Sequence, residues 1–143
     1  MSRSGDTSEA FGGPFIYTIV LLLLTSLFFT NSPIGVVAAT QMAVGDGVAD
    51  LIGRRLGKTK WWFDDKKSYA GSIAFTIAGF FTSWALLEWF YMSGALTDSV
   101  QDLPARLLLI SATCALVEVL PIKLVDDNWS VPLAAAGLST LLL

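Results

Sequence analysis

The chain has 143 residues, the size of one domain, with 54% apolar residues, 15% charged residues and a mean hydropathy of +0.64. A soluble domain carries about a quarter charged residues, so the missing charge points to a lipid environment, and a net charge of −3 offers no electrostatic reason for a nucleic-acid partner. The absence of histidine excludes a histidine triad, base or zinc site, and the single cysteine, Cys114, excludes an internal disulfide framework.

Residues 1–12 are polar, with Asp6 and Glu9 against one base, Arg3. They fit neither a secretory leader nor a transit peptide, and are expected to form a disordered tail ahead of one membrane-embedded domain spanning 13–143. Phe15–Thr30 is uncharged and reads as a membrane segment. Ser32–Val44 follows as an apolar, small-residue-rich helix, with Ser32 as N-cap and Pro33 at the first helical position. It runs into a polar, glycine-rich exit that ends at Gly57. Tyr69–Met92 holds one charge, Glu88, and is long enough to span a bilayer, which takes roughly 20 residues. Leu103–Leu120 follows, with Arg106 able to snorkel to the interface, and Ser130–Leu143 is a shorter apolar stretch beginning near Pro132. Cys114 packs within one of these runs. Open strands cannot satisfy their backbone in lipid, so the expected fold is all-α: a polytopic transmembrane helix bundle of about four to five membrane helices.

Six of the nine basic residues are Arg54, Arg55, Lys58, Lys60, Lys66 and Lys67, whereas Ser93–Asp102 has none. The positive-inside rule puts the basic loop on the cytoplasmic or stromal side. Counting spans then returns the loop Pro121–Trp129 to that same side, facing the basic loop.

Three blocks on that side have the residues for chemistry. In the first, Asp46, Asp50 and Arg54 recur every four residues and form one helical stripe. Two carboxylates one turn apart suit Mg²⁺, which takes one or two carboxylates plus phosphate oxygens. Arg54, Arg55 and Lys58 match phosphate charge, and Gly45, Gly47, Gly53 and Gly57 allow close backbone approach. Asp50 and Arg54 equally form an ordinary ion pair at that spacing, and the bases equally set membrane orientation. In the second block, Lys66, Lys67, Ser68, Gly71 and Ser72 lead into a helix, as a phosphate site or as a basic interface with Ser68 as the cap. In the third, Asp126, Asp127 and Asn128 favour a turn, with Trp129 as an interfacial anchor or the acids as part of the same site. Glu118 is a further site acid or an interfacial charge.

Taken together, these blocks resemble the phytol kinase and farnesol kinase family. The resemblance rests on Gly45-Asp46-Gly47 with Ala49-Asp50, Gly53-Arg54-Arg55 with Gly57, Lys67-Ser68 with Ala70-Gly71-Ser72, Glu118 with Leu120-Pro121, Asp126-Asp127-Asn128 with Val131-Pro132, and Ser32-Pro33-Ile34-Gly35 upstream. A looser pattern is shared with dolichol kinases and phosphatidate cytidylyltransferases. The match runs from about Gly13 to the C-terminus, the later part of the family's domain. It implies a partner or further segment supplying the family's N-terminal helices. The loop Trp61-Trp62-Phe63-Asp64-Asp65 is more aromatic and acidic than the family's.

The resemblance implies transfer of the terminal phosphoryl group of CTP to a long isoprenoid alcohol in the bilayer: phytol, geranylgeraniol or farnesol. The prenyl phosphate would feed tocopherol synthesis and phytol salvage at a plastid, thylakoid or bacterial cytoplasmic membrane. Asp46 and Asp50, with Asp126, would hold Mg²⁺. Asp46, Asp50 and Asp127 are the expected catalytic acids, with Asp50 or Asp127 taking the hydroxyl proton. Gly45, Gly47, Gly53, Arg54, Arg55, Gly57, Lys58, Lys67, Ser68, Gly71, Ser72 and Asn128 would hold the nucleotide. The alternatives are a cytidylyltransferase, which releases pyrophosphate, and a non-catalytic membrane subunit.

Overall fold

A computed structural model of the chain describes residues 13–28, 32–97, 100–120 and 127–143. The expected tail 1–12 and Asp126 lie outside them. Helix α1 is Gly13–Phe28. Helix α2, Pro33–Thr40, starts as its sequence requires: Pro33 occupies the first position and the Ser32 hydroxyl accepts from the Ile34 N–H at 3.2 Å.

The helix continues through the expected glycine-rich exit, but not as uninterrupted α-helix. A five-residue π segment, Gln41–Gly45, carries α2 directly into α3, Asp46–Leu56. The Asp46 N–H bonds back five residues to the Gln41 carbonyl. Gly45 and Gly47 therefore sit inside one continuous helical run, Pro33–Leu56. Single π turns inside α-helices are frequent at functional sites; this one lies immediately before Asp46. The run stops at Gly57, whose N–H bonds to the Gly53 carbonyl at 3.1 Å.

The fold is mostly helical, as expected, with one short exception at residues 60–68. Strands β1 (Lys60–Trp61) and β2 (Asp64–Ser68) form an antiparallel ribbon that pairs Lys60 with Ser68 and Trp61 with Asp64. The ribbon feeds α4, Tyr69–Met92, capped by the Ser68 hydroxyl accepting from the Gly71 N–H at 3.1 Å. Helix α5 is Leu103–Val119 and α6 is Asp127–Leu142. Asp127 and Asn128 are thus already helical and do not form the expected turn. Pro132 lies inside α6.

Among the described residues, Pro33–Leu56 and Tyr69–Met92 are the two helices long and apolar enough to cross a membrane, while Phe15–Phe28 and Trp129–Leu142 are shorter apolar helices. Val37, Met42, Phe75, Leu87, Leu107, Ile110, Cys114 and Val131 form the core between the helices. Cys114 packs there as expected. A polar chain crosses this core: the Gln41 amide donates to Ser111 at 2.8 Å and Ser83 at 3.2 Å, and Ser83 meets Thr40 at 2.5 Å. Gly79 makes room for it, since a Cβ there would stand 3.0 Å from Gln41 Cδ.

Two contacts fix which helix ends meet. Lys67, just before α4, pairs with Glu118 at the end of α5, so α4 and α5 are antiparallel. Arg106, early in α5, donates to the Leu142 carbonyl at the end of α6. The start of α6, with Asp127 and Asn128, is therefore at the Glu118 end.

Candidate functional site

A cavity of about 820 Å³ opens at that end of the bundle. Pockets of about 300–1,000 Å³ accommodate small ligands and cofactors. Helix α3 contributes Asp46, Gly47, Ala49, Asp50, Gly53 and Arg54. The four-residue spacing read from the sequence thus turns one face of α3 toward the cavity. The ribbon contributes Lys60, Asp65, Lys66 and Lys67. Ser68, Gly71 and Ser72 come from the start of α4, and Glu118 comes from α5.

Among the described residues, four acids (Asp46, Asp50, Asp65, Glu118) and four bases (Arg54, Lys60, Lys66, Lys67) share this lining. Equal numbers of opposite charges do not make a simple anion cup. They suit a ligand that carries both signs, such as a cation chelated by phosphates, with carboxylates toward the cation and bases toward the phosphates. Among the described residues no three acidic, histidine or cysteine side chains come together as a metal cage. The carboxylates of Asp46 and Asp50, one turn apart on the cavity wall, fit a cation that draws its remaining ligands from phosphate and water.

The charged groups are held in different ways. Arg54 grips Asp50 with two hydrogen bonds, one of them Nε to Oδ1 at 2.7 Å, and both side chains are about half exposed. Glu118 is only 5% exposed and takes its bond from Lys67, so the base arrives on the wall already oriented.

The glycines divide into two kinds. Around Ser68, the backbones of α3 and α4 approach closely. A Cβ at Gly71 would lie 3.1 Å from the Ala49 carbonyl and 3.6 Å from Gly53 Cα, and one at Gly57 would meet Ser68 Cβ at 2.6 Å. A Cβ at Gly45 would meet the Phe75 ring at 2.9 Å. Gly45, Gly57 and Gly71 are required by packing. Gly47 differs: a Cβ there meets nothing within 4 Å, so its bare backbone faces open cavity.

Of the residues expected to bind nucleotide or metal, Asp46, Gly47, Asp50, Gly53, Arg54, Lys67, Ser68, Gly71 and Ser72 share the lining. Gly45 and Gly57 are spent on packing, and Arg55 and Lys58 are exposed outside the lining. Asp127 and Asn128 begin α6 at the same end, and Asp126 lies outside the described residues. Sequence reasoning missed Lys60 and Asp65 in the lining, and placed Lys66 there through its block with Lys67. The available signal was the pattern Lys60-Trp61-Trp62-Phe63-Asp64, strand-favouring aromatics bracketed by charge. It left Glu118 undecided, because its partner is 51 residues away.

No protein-family model matches the chain, and no solved structure matches it. Among curated proteins it is 43% identical over 136 residues to a probable phytol kinase 2, chloroplastic, of Oryza sativa subsp. japonica, covering 94% of this chain and 44% of the relative. It is 41% identical over 143 residues to a probable phytol kinase, chloroplastic, of Triticum aestivum, covering 99% and 48%. It is 41% identical over 135 residues to phytol kinase 1, chloroplastic, of Arabidopsis thaliana, covering 94% and 44%. The chain spans about half the length of these relatives. By sequence, over nearly its whole length, the chain belongs to the phytol kinase family.

Proposed function

We propose that this chain carries the nucleotide-binding part of a prenyl-alcohol kinase that uses CTP and Mg²⁺, embedded in a plastid or thylakoid membrane as a bundle of four to five helices. The observation that carries the reading is the mixed acid–base cavity at one end of an apolar bundle. The names of the relatives support a prenol as acceptor and a plastid location. Membrane embedding is supported by the two long apolar helices and by outward-facing Leu22, Leu27, Ile73, Phe81, Leu116 and Leu133, each at least half exposed.

In this reading the alcohol oxygen of phytol, geranylgeraniol or farnesol attacks the terminal phosphorus of CTP. The bond from that phosphorus to the β-phosphate oxygen breaks, and prenyl monophosphate and CDP form. Catalysis is mostly positioning and charge neutralisation. Asp46 and Asp50 hold the metal, which screens charge on the transferring phosphates; Asp126, outside the described residues, belongs to the same expected ligand set. Arg54 leaves Asp50 for a phosphate oxygen, an exchange that an exposed ion pair allows at little cost. Lys67, oriented by Glu118, faces the phosphates together with Lys60 and Lys66. Gly47 leaves space for the phosphate chain. Asp50 or Asp127 receives the hydroxyl proton. The isoprenoid tail stays among apolar side chains in the bilayer while its hydroxyl reaches the cavity.

The test is an assay of membranes containing the chain, supplied with labelled CTP, UTP or ATP and several prenols. The expected result is prenyl phosphate plus CDP, abolished by Asp46→Ala with membrane insertion intact. Release of pyrophosphate would identify a cytidylyltransferase instead. Nucleotide binding without turnover would identify a non-catalytic subunit. Normal turnover by Asp46→Ala would remove the metal-binding assignment.

A further inference from the structure

The tip of the ribbon is chemically out of place for a turn in water. The two residues between paired Trp61 and Asp64 are Trp62 and Phe63, where a tight hairpin ordinarily has Asn, Asp or Gly. Trp62 is 86% exposed, and the edge of one tip ring faces the other at 5.0 Å between centroids. Behind the tip, Trp61 stacks on Tyr69 at 4.1 Å and donates its indole N–H to Ser72 at 3.1 Å. Trp61 therefore stands between two surfaces. Ser72 belongs to the cavity wall. Tyr69 begins an outward stripe on α4 that continues every four residues through Ile73, Ile77 and Phe81, all exposed. The aromatic tip crowns that stripe.

We infer that the Trp62–Phe63 tip is a membrane-interface anchor, seated in the headgroup layer where the outward stripe of α4 leaves the hydrocarbon. The inference rests on the embedded reading above. Tryptophan concentrates at this depth because its ring is apolar and its N–H polar. Exposed Arg55 and Lys58, which stand outside the cavity lining, supply charge complementary to anionic headgroups. The consequence for the site is mechanical. The strands that end in this tip hold Lys60, Asp65 and Lys66 on the cavity wall. Docking the tip on lipid fixes those charges beside the point where a bilayer-borne alcohol reaches the cavity.

The experiment uses the full chain, grown with fluorine-labelled tryptophan and placed in nanodiscs of neutral and anionic lipid. The Trp62 and Trp89 resonances are assigned with Trp62→Phe and Trp89→Phe. A lipid spin-labelled just below its headgroup and a water-soluble gadolinium chelate are added in separate samples. The expected result is loss of the Trp62 resonance with the spin-labelled lipid and its retention with gadolinium. Trp89, 58% exposed near the far end of α4, reports the embedding independently. If the lipid erases Trp89 while Trp62 is erased only by gadolinium, the anchor is wrong and the embedding stands. If the lipid touches neither, both are wrong.

Discussion

The ion pairs Asp50–Arg54 and Lys67–Glu118 stand on different walls of one cavity, and they are built to opposite ends. Asp50 and Arg54 lie one helical turn apart on α3, both about half exposed. Lys67 and Glu118 join a strand to a distant helix, with the carboxylate 6% exposed at its side chain. An exposed pair gains little because water solvates the separated charges almost as well. A buried pair has no such alternative, so losing one partner strands the other. The first pair is therefore exchangeable, its members available to an incoming cation and phosphate. The second is a fixed strut that closes α5 onto the ribbon and presents a lysine to the cavity.

Three substitutions put this contrast to the test. The largest effect is expected from Lys67→Met, which takes the salt-bridge donor from the buried Glu118 carboxylate and should lower stability by about 3–5 kcal/mol. An unfolding midpoint within error of the parent would show that the pair is no strut. Gly79→Ala comes next. It drives a methyl into the Gln41 amide and should cost about 1–3 kcal/mol by overpacking. That loss separates damage to the polar chain in the core from damage at the cavity, so nucleotide affinity of the surviving folded fraction should be unchanged. Arg54→Ala should have the smallest effect on stability. Its unfolding midpoint should match the parent, while Mg–nucleotide affinity falls roughly tenfold, the size of one lost charge-assisted phosphate contact. A destabilised Arg54→Ala protein with unchanged affinity would invert the comparison.

Those two pairs also mark how far the sequence could be read. The spacing of Asp46, Asp50 and Arg54 is local, and helical periodicity alone puts them on one face. Ser32-Pro33, Gly57 and Ser68 marked helix ends through capping chemistry that operates within three residues, and all three hold in the structure. The π segment was not legible, because Gln41–Gly45 has no composition that distinguishes it from α-helix. The ribbon was missed because β1 has two residues and β2 is rich in Lys and Asp, types depleted in strands. Glycine spacing showed where side chains are absent but not what fills the space. Only the fold separates Gly57 and Gly71, closed by α3–α4 packing, from Gly47, open to the cavity.

Gly47 offers the most direct test that this cavity holds a metal–triphosphate ligand, because a Cβ there meets no neighbour within 4 Å. Equilibrium binding of CTP, with and without Mg²⁺, should be compared between the parent chain and Gly47→Leu in nanodiscs. The parent should bind CTP in a Mg²⁺-dependent way and Gly47→Leu should lose that binding, with unfolding midpoints no lower than the parent's, since glycine in a helix interior is itself unfavourable. Equal CTP affinity in a folded Gly47→Leu protein would contradict a metal–triphosphate ligand in this cavity.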